Sequence, residues 1–138
     1  MQARSLSALA VAVLLMGSAR LVAHHSFAAE YDANKPVTLH GSVVRVDWTN
    51  PHARFYIEVK EADGSVAQWN LELASPNVLV RQGWTRNSLK IGDEITVSGS
   101  AAKDGSKMAN ARNVTLATGK RVFAGSPAGD PGAAPETK

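Results

Sequence analysis

The sequence contains no cysteine, so no disulfide bond can stabilise the fold and no thiolate can bind a metal. Any metal site must use histidine, carboxylate, methionine or backbone ligands. The chain also lacks an H-E-x-x-H motif, a glycine-rich phosphate loop and a recognisable nucleophile–base arrangement. With no catalytic signature in the chain, we predict a non-enzymatic protein.

No apolar run is long enough to span a bilayer by itself. The run from Leu6 to Met16 follows the basic Arg4 and precedes small residues, which is typical of an export signal. We predict a signal peptide over residues 1–23, cleaved after Ala23; a cut after Ala19 and an uncleaved membrane anchor are the alternatives. The mature protein is then expected to be periplasmic or secreted, with no stable membrane insertion after cleavage.

Basic residues are too scattered to form a phosphate-binding surface. The whole chain has a formal charge of +3, and removing residues 1–23 takes away Arg4 and Arg20 but no acid, which leaves +1. No Lys/Arg cluster remains that could neutralise many phosphates. The sequence therefore predicts that nucleic acid is not a partner.

The stretch from Val37 to Val59 predicts a long bent strand, a turn at Asn50-Pro51 and a returning strand. Its alternation of apolar residues slips by one position after Val43, which indicates a bulge, and Gly41 allows sharp coiling. Asp63-Gly64 has the residues of a hairpin turn, and Val66–Ala74 is the third strand, with Trp69 facing inward.

Ser75-Pro76 is typical of a helix start, and Gly83 of a helix end. Further strands are predicted at Glu94–Gly99 and Asn113–Ala117, with Arg121–Phe123 as a candidate extra edge strand. The predicted fold is all-β: a five-stranded OB-like barrel with one short helix between strands 3 and 4. Its predicted organisation is an N-terminal arm over 24–36, the barrel over 37–123 and a disordered Pro/Gly/Ala-rich tail over 124–138.

Three motifs occur in order along the chain: His24-His25-Ser26-Phe27, then Trp48-Thr49-Asn50-Pro51-His52, then Gly83-Trp84-Thr85-Arg86 leading to Leu89–Asp93. Together they resemble an uncharacterised family, a domain of unknown function, of small exported proteobacterial proteins placed among OB-like barrels. The resemblance covers His24 to about Phe123. It implies the fold and export, and it implies no reaction.

Histidines are the candidate metal ligands. If cleavage follows Ala23, the amine and imidazole of His24 can chelate one metal, with His25 beside it and His52 added from the first inter-strand loop. This donor set suits Cu(II) best, with Zn(II) and Ni(II) behind it. In the alternative, the histidine pair is solvated and the His52 imidazole binds a backbone carbonyl. We expect His40 to be structural.

Aromatic residues suggest a ligand surface. Trp69 and Trp84 are expected in the core, whereas Trp48, Asn50 and Tyr56 form a candidate ligand surface, with partial burial as the alternative for the two aromatics. Glu58 and Glu72 fall on the outer faces of paired strands. We expect them to be solvated charges rather than a carboxylate pair.

These observations predict a periplasmic, non-enzymatic protein that binds a small ligand or a metal ion, with copper as the first candidate. The alternative is an accessory interaction module for an envelope enzyme or transporter. A third hypothesis, a copper-dependent oxidase with an amino-terminal histidine brace, requires supporting residues that the sequence does not identify.

Overall fold

The computed structural model describes residues 27–125, and the fold is mostly β. Its elements, renumbered in chain order, are α1 (Phe27–Glu30), β1 (Tyr31–Asp47), β2 (Arg54–Lys60), β3 (Val66–Glu72), α2 (Pro76–Arg81), β4 (Glu94–Ala102), β5 (Met108–Leu116) and β6 (Arg121–Phe123). The predictions for the signal peptide, His24, His25 and residues 126–138 lie outside the described residues. Within residues 27–125, no helix is long and apolar enough to cross a membrane.

The six strands form one sheet in the order β3-β2-β1-β4-β5-β6. All neighbours in that order are antiparallel. β3 also pairs in parallel with β5, from Asn70 opposite Met108 to Glu72 opposite Asn110. This additional pairing closes β1 to β5 into a ring.

The long first strand serves both sides of the ring, because its earlier part pairs with β4 and its later part with β2. The predicted bulge is confirmed, since the register with β2 shifts between Val43 and Arg45. Gly41 lies where the strands cross closely: a Cβ there would clash with the carbonyl oxygen of Glu58. Only glycine allows the backbones to approach this closely.

The hydrophobic core fills the ring. Phe55 and Ile57 of β2, Leu71 of β3 and Val114 of β5 are fully buried, as the alternating pattern predicts. Trp69 is also buried, at 9% exposed. The placement of Trp69 in the core is therefore confirmed.

The short helix between β3 and β4 is confirmed, and its local sequence explains its ends. Ser75 is the N-cap and accepts a hydrogen bond from the Val78 N–H at 3.4 Å, with Pro76 in the first turn. Gly83 follows the helix with φ at +88°, a conformation that glycine adopts without strain. Beyond it, Trp84 is buried and its Nε1 donates to the Phe123 carbonyl at 2.7 Å.

Two strands begin earlier in the chain than predicted. β1 begins at Tyr31 rather than Val37 and β5 at Met108 rather than Asn113, whereas β6 (Arg121–Phe123) is the candidate extra edge strand. Residues 33–36 are exposed and show no alternation, which is why no strand was predicted there. The strand begins with Tyr31 opposite Ala102 of β4, and its register with β4 is irregular until Pro36 lies opposite Ser100.

The first two residues of the predicted disordered tail, Ala124 and Gly125, are buried. The Ala124 carbonyl accepts from the Ala74 N–H at 2.9 Å, and the Ala124 N–H donates to the Arg112 carbonyl at 2.8 Å. Backbone hydrogen bonds thus fix a segment whose small side chains carry no hydrophobic pattern.

Candidate ligand-binding site

A cavity of about 320 Å³ lies where α1 and the start of β1 meet the β4–β5 turn and the start of β2. We call it the Arg54 cavity. The residues that matter for its chemistry are Ala29, Tyr31, Arg54, Ala102, Lys103 and Met108. A volume of this size is at the lower end of the range of small-molecule sites.

Hydrogen bonds hold α1 against the β4–β5 turn and so form one wall of the cavity. The Lys103 N–H donates to the Glu30 carbonyl at 2.9 Å, and the Lys103 Nζ donates to the Ala28 carbonyl at 2.5 Å. Tyr31 then continues into the pairing with Ala102. α1 has no buried residue and is therefore held by hydrogen bonds from both the backbone and the side chain of Lys103.

An ion pair that includes Arg54 lies beside the Arg54 cavity. Arg54 of β2 faces Glu72 of β3 in the sheet register, and its Nη2 donates to a Glu72 carboxylate oxygen. The Arg54 Nη1 donates to the Asn70 Oδ1 at 3.3 Å. The Glu72 side chain is 9% exposed and the Arg54 side chain 29%. Two largely desolvated charges of opposite sign require each other, because either one alone would be costly to bury.

The expectation that Glu72 is a solvated charge is wrong. It points away from the core as the alternation predicts, but Tyr31 and the parallel pairing with β5 cover that part of the outer face. Glu58 is exposed as expected and lies opposite Gln68 in the β2–β3 register, while Glu72 lies opposite Arg54. The two carboxylates therefore occupy different positions on the sheet and have different environments.

Tyr31 covers the ion pair and remains uncharged. It is 1% exposed, and its ring packs against Phe27 with 5.7 Å between the ring centroids. Burial, and then the nearby Glu72 carboxylate, raise the pKa of the Tyr31 hydroxyl well above its ordinary value. The hydroxyl has no well-formed hydrogen bond among residues 27–125, although Glu72 is close enough to act on its pKa.

The rim of the Arg54 cavity carries charges of both signs. Lys103 and Asp104 are exposed, and Glu30 is half-buried. The Asp104 Oδ1 accepts hydrogen bonds from the Ser106 hydroxyl at 2.6 Å and from the Ser106 N–H at 2.9 Å, which lower the pKa of the Asp104 carboxyl. The rim therefore carries a formal charge of −1, and water screens its effect on a ligand because the rim is open to solvent.

The predicted ligand surface is divided between separate environments. Trp48 is half-buried against the core and lines a narrow, mostly apolar cleft with Trp84 and Leu89. Asn50 is exposed, in a cis peptide bond with Pro51. Tyr56 is half-buried, and the Arg45 guanidinium carbon lies 4.8 Å from its ring centroid. None of Trp48, Asn50 and Tyr56 lines the Arg54 cavity.

The histidines within the described residues have separate partners. His52 is half-buried, with its Nδ1 3.2 Å from the Leu73 carbonyl oxygen. His40 is exposed, with its Nδ1 3.2 Å from the Thr96 hydroxyl and its Nε2 3.6 Å from a Glu94 carboxylate oxygen. Among residues 27–125 there is no group of three or more His, Cys, Asp or Glu residues that could hold a metal ion.

Comparison with protein families identifies the family of the chain. The profile of a family of unknown function, DUF6152, matches residues 11–111. The chain belongs to the DUF6152 family. No curated protein matches it.

Comparison with solved structures finds a crystal structure of the mitochondrial single-stranded DNA binding protein Rim1 from S. cerevisiae. It has 12% sequence identity and a TM-score of 0.47, and the match covers 60% of the DUF6152 chain and 93% of Rim1. This finding contradicts the prediction that excluded nucleic acid as a partner, because the matched protein is itself a DNA-binding protein. The similarity is too low to assign a ligand to the DUF6152 protein.

Sequence reasoning missed the Arg54 cavity. The alternation of β2 and β3 correctly predicts that Arg54, Asn70 and Glu72 point outward. Outward polar residues are normally expected to be solvated, so the alternation does not indicate that these are covered. Tyr31 lies 23 residues before Arg54 in a segment without periodicity. The available signal was the opposite charge of Arg54 and Glu72 at facing positions of a predicted hairpin.

Proposed function

We propose that the DUF6152 protein is a non-enzymatic, exported binding module that takes a small ligand in the Arg54 cavity. The observation that carries the proposal is the cavity itself, at about 320 Å³ beside a buried and already paired charge. Since a water molecule occupies about 30 Å³ in the liquid, this space has room for a molecule of roughly ten non-hydrogen atoms.

Two further features support the proposal. The closed path from β1 through β2, β3, β5 and β4 back to β1, with α2 between β3 and β4, is the arrangement expected of an OB-like barrel, a fold commonly used for binding. The apolar run Leu6–Met16 behind Arg4 supports export to the periplasm.

The proposal can be tested through a methionine inside the cavity. The full chain has three methionines, Met1, Met16 and Met108, and Met108 lines the Arg54 cavity. In methyl-labelled protein, with the Met108 signal assigned from Met108→Leu, we expect a diverse set of small polar molecules to include members that shift this signal saturably. The proposal fails if no molecule shifts the Met108 signal.

A matched pair of variants locates the binding. Ala28 and Ala29 are both exposed on α1, but only Ala29 lines the cavity. Ala29→Trp should fill the cavity and abolish the shifts, whereas Ala28→Trp should leave them unchanged. Equal responses of the two variants would place the ligand elsewhere.

Copper binding is a second candidate function, and the geometry of His52 favours it. A neutral imidazole whose Nδ1–H donates to the Leu73 carbonyl keeps the Nε2 lone pair available for a metal, an arrangement found at many metal-bound histidines. We propose that His52 binds Cu(II) together with His24 and His25 of the mature N-terminus. Binding should weaken below about pH 6, because protons compete for imidazole and amine.

The copper proposal is tested by Cu(II) titration of three proteins that differ only at the predicted ligands. They are the protein beginning at His24, its His52→Ala variant, and a version with one extra residue before His24. Both changes should weaken binding, whereas His40→Ala should not. Equal affinities would show that these histidines form no common site; if the cavity also fails its test, the accessory interaction module remains.

A further inference from the structure

The Arg54 cavity has a chemical preference that follows from its charges. We infer, on the basis of the proposed function, that it selects an uncharged small molecule with a hydrogen-bond acceptor next to an apolar group, such as an amide.

The buried charges beside the cavity are already balanced. Arg54 is paired with the buried Glu72. Tyr31, which covers this pair, stays protonated because burial raises the pKa of its hydroxyl. At the rim, Lys103 stands against two acids, Asp104 and Glu30, so the formal charge there is −1, but the rim is open to water, which screens it. A charged ligand would therefore lose hydration without meeting an unpaired buried charge of opposite sign, and this loss is costly.

Arg54 can still donate hydrogen bonds. A guanidinium group carries five N–H donors, and the hydrogen bonds to Glu72 and Asn70 use two of them. The Arg54 side chain is 29% exposed and lines the cavity. A guanidinium whose charge is offset by a carboxylate, but whose donors are not all used, suits a neutral acceptor such as a carbonyl or hydroxyl oxygen.

Part of the cavity lining is apolar. Ala29 contributes a methyl group, Ala102 is 6% exposed, and Met108 is half-buried with a flexible thioether that adapts to irregular shapes. A ligand with a polar group toward Arg54 and a short aliphatic group toward Met108 would match both sides. The isobutyl skeleton has this shape and fits the volume.

The inference is tested with three probes of nearly equal size and different charge: isobutyramide, isobutyrate and isobutylamine. Each is titrated into the full-length, methyl-labelled protein at constant ionic strength, and the Met108 signal is followed. We expect isobutyramide to bind at least about fivefold more tightly than either charged probe, because only the charged probes lose ionic hydration. Tighter binding of isobutyrate or isobutylamine would overturn the inference while leaving the proposed function intact.

Two variants separate the role of Arg54 from folding. Arg54→Lys keeps a positive charge beside Glu72 but removes the planar donor group, and should weaken isobutyramide about two- to tenfold with the thermal melt largely retained. Arg45→Lys, on the neighbouring strand and outside the cavity, should change nothing. Unchanged affinity in a folded Arg54→Lys protein would contradict the donor role. The absence of a Met108 shift with isobutyramide would overturn the inference, whereas the proposed function fails only if the diverse set of molecules also leaves the signal unchanged.

Discussion

The inside and the outside of the same ring of strands are built on different principles. The inside holds Phe55, Ile57, Leu71 and Val114, which alternate along their strands and exclude water. The outside, where β3 closes onto β5, holds Arg54 and Glu72 under Tyr31. The inside is a continuous apolar core that is stabilised by burial. The outer seam, by which we mean Arg54, Glu72 and Tyr31 beside the Arg54 cavity, is a polar cluster in which each charge depends on its partner.

The largest expected effect contrasts the two faces of β2. Phe55→Ala should lower the free energy of unfolding by about 3–5 kcal/mol, the range for truncating a large core side chain. Tyr56→Ala, at the next position on the outer face, should cost about 1 kcal/mol or less, because Tyr56 is only half-buried. Chemical denaturation of both variants measures the difference, and comparable losses would show that the outer face is a second core.

The ion pair provides the next test. Glu72→Ala leaves the Arg54 charge without its partner and should cost about 1–3 kcal/mol, less than for a fully buried pair because Arg54 is 29% exposed. The double variant Arg54→Met with Glu72→Met removes both charges and should recover most of that loss. If the double variant is as unstable as the single one, the interaction between Arg54 and Glu72 itself stabilises the fold, and the loss in Glu72→Ala is not simply the cost of an unpaired charge.

The chain end gives a smaller effect. Ending the chain at Phe123 removes the Ala124 hydrogen bonds to Ala74 and Arg112, and should cost about 1–2 kcal/mol. Ending it at Gly125 keeps those bonds and should leave the melting temperature nearly unchanged. Equal melting temperatures of the two shortened chains would show that Ala124 adds nothing to the fold.

The smallest effect appears at alkaline pH. Tyr31 has its pKa raised by burial, so above about pH 10 the unfolded chain loses a proton that the folded chain keeps. Stability is then lost as the pH rises, by about 0.8 kcal/mol at pH 10.5 from this group alone. Tyr31→Phe should remove this part of the pH dependence, measured by denaturation at pH 9 and 10.5, and Tyr56→Phe should retain it. An unchanged slope in Tyr31→Phe would contradict the burial of the hydroxyl.

The contrast between the two faces also explains what the sequence could predict. Alternation, turn residues and the Ser75-Pro76 helix start depend on near neighbours, so the alternating parts of the strands, the bulge and α2 could be predicted. The first residues of β1 and β5 could not. The Arg54 cavity depends on contacts between distant segments: Tyr31 with β4, and β3 with β5. An outward glutamate such as Glu72 looks the same in the sequence whether water or another strand covers it. His52 shows the same limit, because its contact with Leu73 spans 21 residues.

The central claim is that the ligand binds in the Arg54 cavity and not at Trp48 or Tyr56. The most direct measurement is a crystal structure of the protein with isobutyramide. We predict the amide in the Arg54 cavity, with its carbonyl oxygen within hydrogen-bond distance of the Arg54 guanidinium and its methyl groups against Met108. An amide bound instead in the cleft beside Trp48 and Trp84, or on the face of Tyr56, would contradict the claim.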